Sequence, residues 1–349
     1  MKEKTKVNTT KSPEASAAVI GAGSWGTALA KLLSDKGLEV HLWAHRPEHV
    51  QQLLEDKENK TYLPGFSLCD RLIPLSDIHE AVRGKHFIVM VVPSHVFRSV
   101  FTRIIPDLSE DTIVVSATKG IENESLMTMS QVMEDELRKA GKKAEIGVLT
   151  GPSFAKEVAA GIPTAVTVAA RSLDTATAIQ DLFFTERFRV YTSTDLVGQE
   201  LGAALKNIIA VAAGISDGLG YGTNTRAALI TRGLAEITRL GVKMGANPLT
   251  FSGLGGMGDL VLTCTGDLSR NRNVGLKLGQ GKKLADILAE MNMVAEGVKT
   301  THSAMALAER EQVDMPILEQ IYQVIYEDKD CELAVHDLLT RHQKEEMEH

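Results

Sequence analysis

The distribution of apolar and polar positions divides the chain into two parts. Up to about residue 194, short apolar runs rich in β-branched residues alternate with helical stretches. This alternation is typical of a parallel sheet built from strand–helix–strand units. The predicted strands are 17–20, 40–43, 86–92, 112–117, 146–149, 165–169 and 187–191, and the predicted helices lie at about 25–34 and 174–184.

The second part of the chain is predicted to be helical. The β-branched alternation largely disappears, and the pattern favours helices at 196–219, 225–244, 275–279, 298–309 and 317–326. At 349 residues the chain exceeds what one hydrophobic core usually serves. We therefore expect an α/β domain over 17–194 and an all-helical domain over 195–340. The polar segment 1–16 is interpreted as a disordered leader, and 341–349 as a charged tail.

Composition and charge narrow the possible partners. With 38 Lys and Arg against 45 Asp and Glu, the formal net charge is −7, which argues against general nucleic-acid binding. The cysteines, Cys69, Cys264 and Cys331, are too widely spaced for a disulfide framework or a metal site. We therefore predict reduced thiols, a cytoplasmic location and no bound metal. No apolar run approaches the length that spans a bilayer, so no membrane span is expected.

A glycine motif follows the first predicted strand and precedes the first helix. Gly21, Gly23 and Gly26 form the pattern G-x-G-x-x-G, with Ser24 and Trp25 inside it. The first glycine permits a tight turn, the second lets the backbone approach a pyrophosphate, and the third allows the helix to pack closely on the strand. Glycines also mark ordinary turns, but the flanking strand and helix favour a Rossmann-type dinucleotide-binding domain.

The end of the second strand bears on which dinucleotide is bound. A carboxylate about 20 residues after the glycines grips the ribose 2′-hydroxyl of NAD. This chain instead has His45 and Arg46 at that turn. Arg46, helped by His45, can pair with a 2′-phosphate, although a solvated basic turn is the ordinary alternative. We predict that NADP(H) is preferred and that NAD(H) remains usable.

One lysine stands inside an apolar helical segment. Lys206 lies within 202–214, and a buried ammonium needs a partner, a lowered pKa or a function. The alternative is a lysine that reaches the surface from a helix edge.

Further along, small and polar residues are concentrated at 255–271. Asp259 and Thr263 are four residues apart, on one face of a helix. Ser269 is a good N-cap, and Arg270 and Asn271 open the helix behind it, which offers a phosphate site. Each residue also has an ordinary interpretation, as a structural aspartate, a capping serine or a surface arginine.

Short motifs spread along the chain carry a family resemblance. They are Gly-Ala-Gly-Ser-Trp-Gly-Thr-Ala at 21–28, Thr-Lys-Gly at 118–120, Gly-Pro-Ser-Phe-Ala at 151–155, Leu-Lys-Asn-Ile at 205–208, the Asn-Thr-Arg segment at 224–236, Gly-Asp-Leu at 258–260, Leu-Ser-Arg-Asn at 268–271 and Glu-Gly at 296–297. With them, the chain resembles the bacterial NAD(P)-dependent glycerol-3-phosphate dehydrogenases from Ala17 to about residue 338.

This resemblance implies a reaction, a set of site residues and an assembly. The reaction is reduction of dihydroxyacetone phosphate to sn-glycerol 3-phosphate, which supplies glycerophospholipid synthesis, and family members are commonly cytoplasmic dimers. The implied catalytic residues are Lys206 as proton donor and acceptor, with Asp259, Lys119, Asn207 and Thr263. The implied substrate-binding residues are Lys119, Gly151, Ser153, Lys206, Asp259, Ser269, Arg270 and Asn271. The implied cofactor-binding residues are the three motif glycines with Ser24, Trp25, His45, Arg46, Tyr62, Lys119, Ala155, Arg270, Val294 and Glu296.

Two other functions are compatible with much of this pattern. One is a reductase on the same plan that acts on ketopantoate or a β-hydroxy acid, and the cluster of Ser269, Arg270 and Asn271 argues against it. The other is a non-catalytic NADPH sensor, against which the presence of Lys206 and Asp259 argues.

Overall fold

The computed structural model describes residues 16–291, 295–343 and 345–346. Almost all of the predicted leader, part of the predicted tail, and Val294 lie outside these residues. The strands are β1 (Ala17–Ile20), β2 (Val40–Trp43), β3 (Glu58–Asn59), β4 (Leu63–Ser67), β5 (Leu72–Leu75), β6 (Phe87–Met90), β7 (Ile113–Ser116), β8 (Glu145–Thr150), β9 (Thr164–Ala170) and β10 (Phe188–Ser193).

The helices fall into two groups along the chain. Those between the strands are α1 (Ser24–Asp35), α2 (Pro47–Asp56), α3 (Ile78–Val82), α4 (Ser94–Ile104), α5 (Met129–Ala140), α6 (Ala155–Ala159) and α7 (Leu173–Phe183). Those after the last strand are α8 (Leu196–Gly218), α9 (Thr223–Lys243), α10 (Asp259–Thr265), α11 (Arg270–Gly279), α12 (Leu284–Ala289), α13 (Glu296–Glu311), α14 (Pro316–Tyr326) and α15 (Cys331–Leu339). The predicted fold class, a Rossmann-type α/β domain followed by a helical domain, is confirmed.

An eight-stranded sheet organises the first part, in the order β10-β9-β8-β7-β6-β1-β2-β5. Its strands pair in parallel, as predicted, except that β8 and β9 are antiparallel, which the sequence pattern did not predict. A parallel return needs a crossover connection, usually a helix that lies across the sheet. The connection from β8 to β9 contains only the five-residue α6, which packs against α1 instead.

The sheet is buried on both faces, which explains its continuous apolar strands. Along β1, Val19 packs into one apolar cluster with Leu29 of α1, whereas Ile20 packs into a second cluster with Phe97 and Phe101 of α4. Since successive side chains of a strand point to opposite faces, the inner strands β1, β2, β6, β7 and β8 contribute to both cores, whereas the edge strand β10 contributes to one. This packing fixes the carboxyl ends of the strands, where the loops described below begin.

Helix α8 is the centre of the second part and contacts α9, α10, α11, α13 and α14. It is 23 residues long and passes a length and composition test for a membrane span. The prediction that no apolar run approaches that length is therefore wrong for α8. Of its apolar window, 94% is buried inside the protein, as expected for a core helix. Asp195 begins the helix by accepting a 2.9 Å hydrogen bond from the backbone N–H of Gly198.

Candidate active site

A cavity of about 940 Å³ lies at the carboxyl ends of the strands and is lined by residues from both parts of the chain. The loops after β1, β2, β6 and β7 all reach it, and the helical part closes it from the other side. Ligands of open α/β sheets bind in such a crevice. The predicted site residues that line it are Gly21, Gly23, Ser24, Trp25, Gly26, His45, Arg46, Tyr62, Lys119, Ser153, Ala155, Lys206, Asn207, Thr263, Ser269, Arg270, Asn271 and Glu296.

The glycine loop between β1 and α1 has the shape that a pyrophosphate requires. Gly21 has φ +121°, and a Cβ there would lie 2.7 Å from the carbonyl oxygen of Val91. A Cβ on Gly26 would lie 1.8 Å from the carbonyl oxygen of Gly21. Around Gly23, by contrast, no heavy atom lies within 4 Å of a Cβ position. The loop is therefore tight against the protein at its two ends and open to the cavity at its centre.

The loop after β2 forms a basic end of the cavity. Arg46 donates a 3.1 Å hydrogen bond from Nη2 to the hydroxyl of Tyr62, and the His45 ring lies edge-on to Trp43 at 6.1 Å. Among the described lining residues, the carboxylates are Asp267 and Glu296, which both come from the helical part. No carboxylate of the described lining thus occupies the place that would grip a ribose 2′-hydroxyl.

Lys206 is a buried ammonium with two side-chain acceptors. It is 5% exposed, and its Nζ donates to Asp259 Oδ1 at 2.5 Å and to Thr263 Oγ1 at 2.7 Å. Burial lowers the pKa of Lys206 to about 8, with Asp259 opposing this shift and Lys119 adding to it. These contacts exclude the alternative of a lysine that reaches the surface.

Asp259 joins two lysines that are far apart in sequence. Its Oδ2 accepts a 2.8 Å hydrogen bond from Lys119, while its Oδ1 accepts from Lys206. Burial on its own raises the pKa of this carboxyl, but the two ammonium groups outweigh it and hold the pKa below its usual range. Asp259 is 1% exposed and is not a lining residue, so it lies behind the two lysines.

Gly151 also lies behind the cavity wall, at the end of β8. Its carbonyl oxygen accepts hydrogen bonds from Lys119 Nζ at 3.3 Å and from Ser153 Oγ at 2.9 Å. A backbone carbonyl therefore orients two side chains that line the cavity, whereas Gly151 contributes no side chain of its own.

The N-terminus of α11 faces the cavity opposite the glycine loop. Ser269 caps it by accepting a 3.2 Å hydrogen bond from the Arg272 N–H, as its position in the sequence predicted. Asn271 Oδ1 accepts a 3.0 Å hydrogen bond from the Gly297 N–H at the start of α13. Glu296 lies beside this contact; burial raises its pKa, and the charge of Arg270 opposes the shift. The first turn of α11 thus presents backbone N–H groups, a guanidinium and an amide to one region.

Sequence reasoning missed the lining residues that follow β6. They include Val91, Val96, Ser99 and Arg103, whose guanidinium lies 5.7 Å from the centre of the Trp43 ring. The signal was available in part, because β6 is the neighbour of β1 at the point where the strand order reverses. No motif marks Arg103 itself.

Family models cover nearly the whole chain. The model of the NAD-dependent glycerol-3-phosphate dehydrogenase N-terminus matches residues 16–176, and the model of its C-terminus matches residues 195–336. The chain belongs to the NAD-dependent glycerol-3-phosphate dehydrogenase family. The two matched segments contain the glycine loop and Lys206, respectively.

Relatives within this dehydrogenase family are similar over almost their entire lengths. The glycerol-3-phosphate dehydrogenase [NAD(P)+] of Desulfotalea psychrophila is 59% identical, covering 95% of this chain and 98% of the relative. The enzyme of the same name from Geobacter sulfurreducens is 58% identical, and the alignment covers 94% of this chain and 98% of the relative. The crystal structure of the glycerol-3-phosphate dehydrogenase from Coxiella burnetii has a TM-score of 0.90 at 40% identity and covers 94% of this chain and 99% of that one.

A ketopantoate reductase of known structure shares the fold of this chain. The enzyme of Ralstonia eutropha is 17% identical with a TM-score of 0.57, and the alignment covers 92% of this chain and 100% of that one. The likeness concerns the architecture alone.

Proposed function

We propose that this chain catalyses the reversible reduction of dihydroxyacetone phosphate to sn-glycerol 3-phosphate with NAD(P)H, which supplies glycerophospholipid synthesis. One observation carries the proposal: the buried Lys206–Asp259–Lys119 group and the capped N-terminus of α11 border the same cavity as the glycine loop. This proximity supports a proton donor, a phosphate site and a dinucleotide site in one cavity.

The cofactor fits the glycine loop and the basic turn after β2. The open centre of the loop at Gly23 and the N-terminus of α1 accommodate a pyrophosphate. Arg46 and His45 favour the 2′-phosphate of NADP(H), while NAD(H) binds through the remaining contacts. When bound, the reduced nicotinamide supplies a hydride to the substrate's carbonyl carbon.

Lys206 supplies the proton that the reduction requires. The oxygen of the ketone becomes an alkoxide as the hydride arrives, and the ammonium Nζ of Lys206 protonates it. Asp259 and Thr263 hold Nζ in place through the 2.5 and 2.7 Å hydrogen bonds. Lys119, bound to the other oxygen of Asp259, adds positive charge that stabilises the developing alkoxide. In the reverse direction, neutral Lys206 accepts the hydroxyl proton.

The phosphate of the substrate is bound at the N-terminus of α11. Arg270 and Asn271 line the cavity there, and Ser269 fixes the first turn. The binding energy of the phosphate positions the reacting carbon against Lys206. This supports a phosphorylated ketone over ketopantoate or a β-hydroxy acid as the substrate. Lys206 and Asp259 argue against a sensor without activity.

Initial rates with purified protein test the proposal. We expect oxidation of NADPH in the presence of dihydroxyacetone phosphate, with a slower rate for NADH, and no comparable rate with ketopantoate. Activity with carboxylated ketones only would assign the chain to the rival reductases. The absence of any ketone-dependent oxidation would favour the sensor.

The location and assembly of the protein are part of the same proposal. Widely spaced free cysteines support a reducing compartment, and we propose a cytoplasmic homodimer with domains at 17–194 and 195–340. Light scattering coupled to size-exclusion chromatography measures the mass directly. A mass near 37.8 kDa, that of one chain, would contradict the dimer.

A further inference from the structure

The helix that carries Lys206 and the helix that begins with Arg270 touch at their backbones. A Cβ on Gly214 of α8 would lie 2.0 Å from the carbonyl oxygen of Arg272, and a Cβ on Gly275 of α11 would lie 2.0 Å from that of Val211. A real Cβ cannot occupy such positions. The distance between α8 and α11 is therefore set at its minimum, by backbone against backbone.

The same contact is repeated one turn further along both helices. A Cβ on Gly218 would lie 2.3 Å from the carbonyl oxygen of Leu276, and a Cβ on Gly279 would lie 2.4 Å from that of Ile215. Two glycines four residues apart on each helix thus face each other. The glycine contact fixes how close the helices are, but glycines without side chains resist sliding along the axis only weakly.

An ion pair between the two helices adds a directional constraint to the apolar packing of Val274 and Leu278 against α8. Asp217 of α8 accepts from Arg272 Nε with Oδ2 at 2.8 Å, and its Oδ1 accepts from Arg226 of α9 at 2.5 and 3.0 Å. The side chains of Asp217 and Arg272 are 7% and 13% exposed, so water screens the pair little. Arg272 belongs to the first turn of α11, which also contains Arg270 and Asn271.

In the proposed function, α11 binds the phosphate and α8 carries the proton donor, so the distance between these helices sets the distance between the two groups. A misplacement of about 1 Å between such groups costs on the order of a hundredfold in rate. We propose that Arg272 is a positioning residue which, through Asp217 and across the Gly214–Gly275 contact, holds the phosphate-binding end of α11 at a fixed distance from Lys206. The inference rests on the proposed function and extends it to the selection of phosphorylated ketones.

The test compares Arg272→Gln with Arg226→Gln. Both variants remove one guanidinium from the Asp217 carboxylate, but only Arg272 belongs to α11, where it also donates to the exposed Asp267 at 2.9 Å. For Arg272→Gln we expect a fall of about tenfold or more in kcat/KM for dihydroxyacetone phosphate, chiefly through kcat, because the bound phosphate then holds the carbonyl away from Lys206. For unphosphorylated dihydroxyacetone we expect kcat/KM to change by less than about twofold. Arg226→Gln should lower the melting temperature by a comparable amount and change kcat/KM for either ketone by no more than about twofold.

Three outcomes would overturn the inference while leaving the proposed function intact. They are equal losses on both ketones, equal kinetic losses in both variants, and an unchanged kcat/KM in Arg272→Gln. If that variant does not fold, Arg272→Lys replaces it. Lysine keeps the positive charge but lacks the bidentate guanidinium, so we expect a smaller fall in kcat/KM that is confined to the phosphorylated ketone. A wild-type protein without activity on dihydroxyacetone phosphate would instead overturn the proposed function, and the inference with it.

Discussion

At the scale of single residues, Lys206 balances opposing electrostatic effects. Burial lowers its pKa to about 8, and Asp259 keeps it protonated at neutral pH. We expect Lys206→Ala to lower kcat by roughly 10²–10⁴, the usual contribution of a positioned acid–base group. NADPH binding, measured by fluorescence titration, should change little because the glycine loop belongs to the other part of the chain.

The pH profile separates a proton donor from a structural lysine. The ammonium of Lys206 is the active form in ketone reduction, so the wild-type rate should fall as pH rises through about 8. This limb should be absent from the residual activity of Lys206→Ala. Lys206→Arg should not restore the rate, because a guanidinium holds its proton too tightly to donate it. Near-normal kcat in Lys206→Ala would remove this residue from the chemistry.

Arg46 is expected to discriminate between the two cofactors. Arg46→Asp should raise the KM for NADPH on the order of tenfold or more and leave that for NADH nearly unchanged, since a charge-assisted hydrogen bond contributes about 1.5–3 kcal/mol. Initial rates with each cofactor measure this, and NADH serves as the internal control. Equal weakening toward both cofactors would contradict a 2′-phosphate contact.

The residues found from the sequence and those missed differ in one physical respect. His45, Arg46 and Ser269 follow from their positions relative to a strand or a helix end, which the local pattern reveals. The hydrogen bond from Lys119 to Asp259 spans 140 residues, and no local pattern specifies it. Arg103, in the last turn of α4, lines the cavity with its guanidinium over the Trp43 ring, and only the tertiary structure shows this contact.

At the scale of elements, continuously apolar segments could be predicted, whereas two helices of mixed polarity were missed. The predicted strand 17–20 and the helix 196–219 agree with β1 and α8 within one residue, because continuous apolar character marks them. Helices α2 and α5 were missed despite local signals, a proline at the first position of α2 and a capping box at Thr128 and Gln131. The antiparallel direction of β9 depends on where α6 packs, and the sequence pattern does not predict that packing.

The glycine loop allows its fold and its binding function to be tested separately. A Cβ on Gly26 meets a backbone oxygen at 1.8 Å, whereas a Cβ on Gly23 meets no protein atom within 4 Å. Gly26→Ala should therefore lower the melting temperature by several degrees, as displacement of α1 from β1 implies. Gly23→Ala should keep the melting temperature and weaken NADPH binding. A melting temperature equally low in both variants would show that the loop centre is not open for a ligand.

At the scale of the whole molecule, a buried carboxylate joins two helices of the second part. Glu236 of α9 is 2% exposed and accepts hydrogen bonds from the backbone N–H groups of Ile317, at 2.8 Å, and Leu318, at 3.3 Å. It thereby satisfies the N-terminus of α14. Burial nonetheless raises its pKa to about 7, with the two N–H groups and Arg239 opposing the shift and Asp314 adding to it.

This carboxyl makes stability depend on pH in an unusual direction. Since its folded-state pKa of about 7 exceeds the ordinary 4.5, the folded state binds more protons between these values, and its contribution to stability is lost as pH rises through them. The expected loss is about 3 kcal/mol, because one pKa unit corresponds to about 1.4 kcal/mol. Glu236→Gln cannot ionise and should lack this slope in urea unfolding at pH 5, 6 and 7.5. Exposed Glu309→Gln controls for the lost charge and should unfold like the wild type; parallel slopes for wild type and Glu236→Gln would show that Glu236 stays ionised across this range.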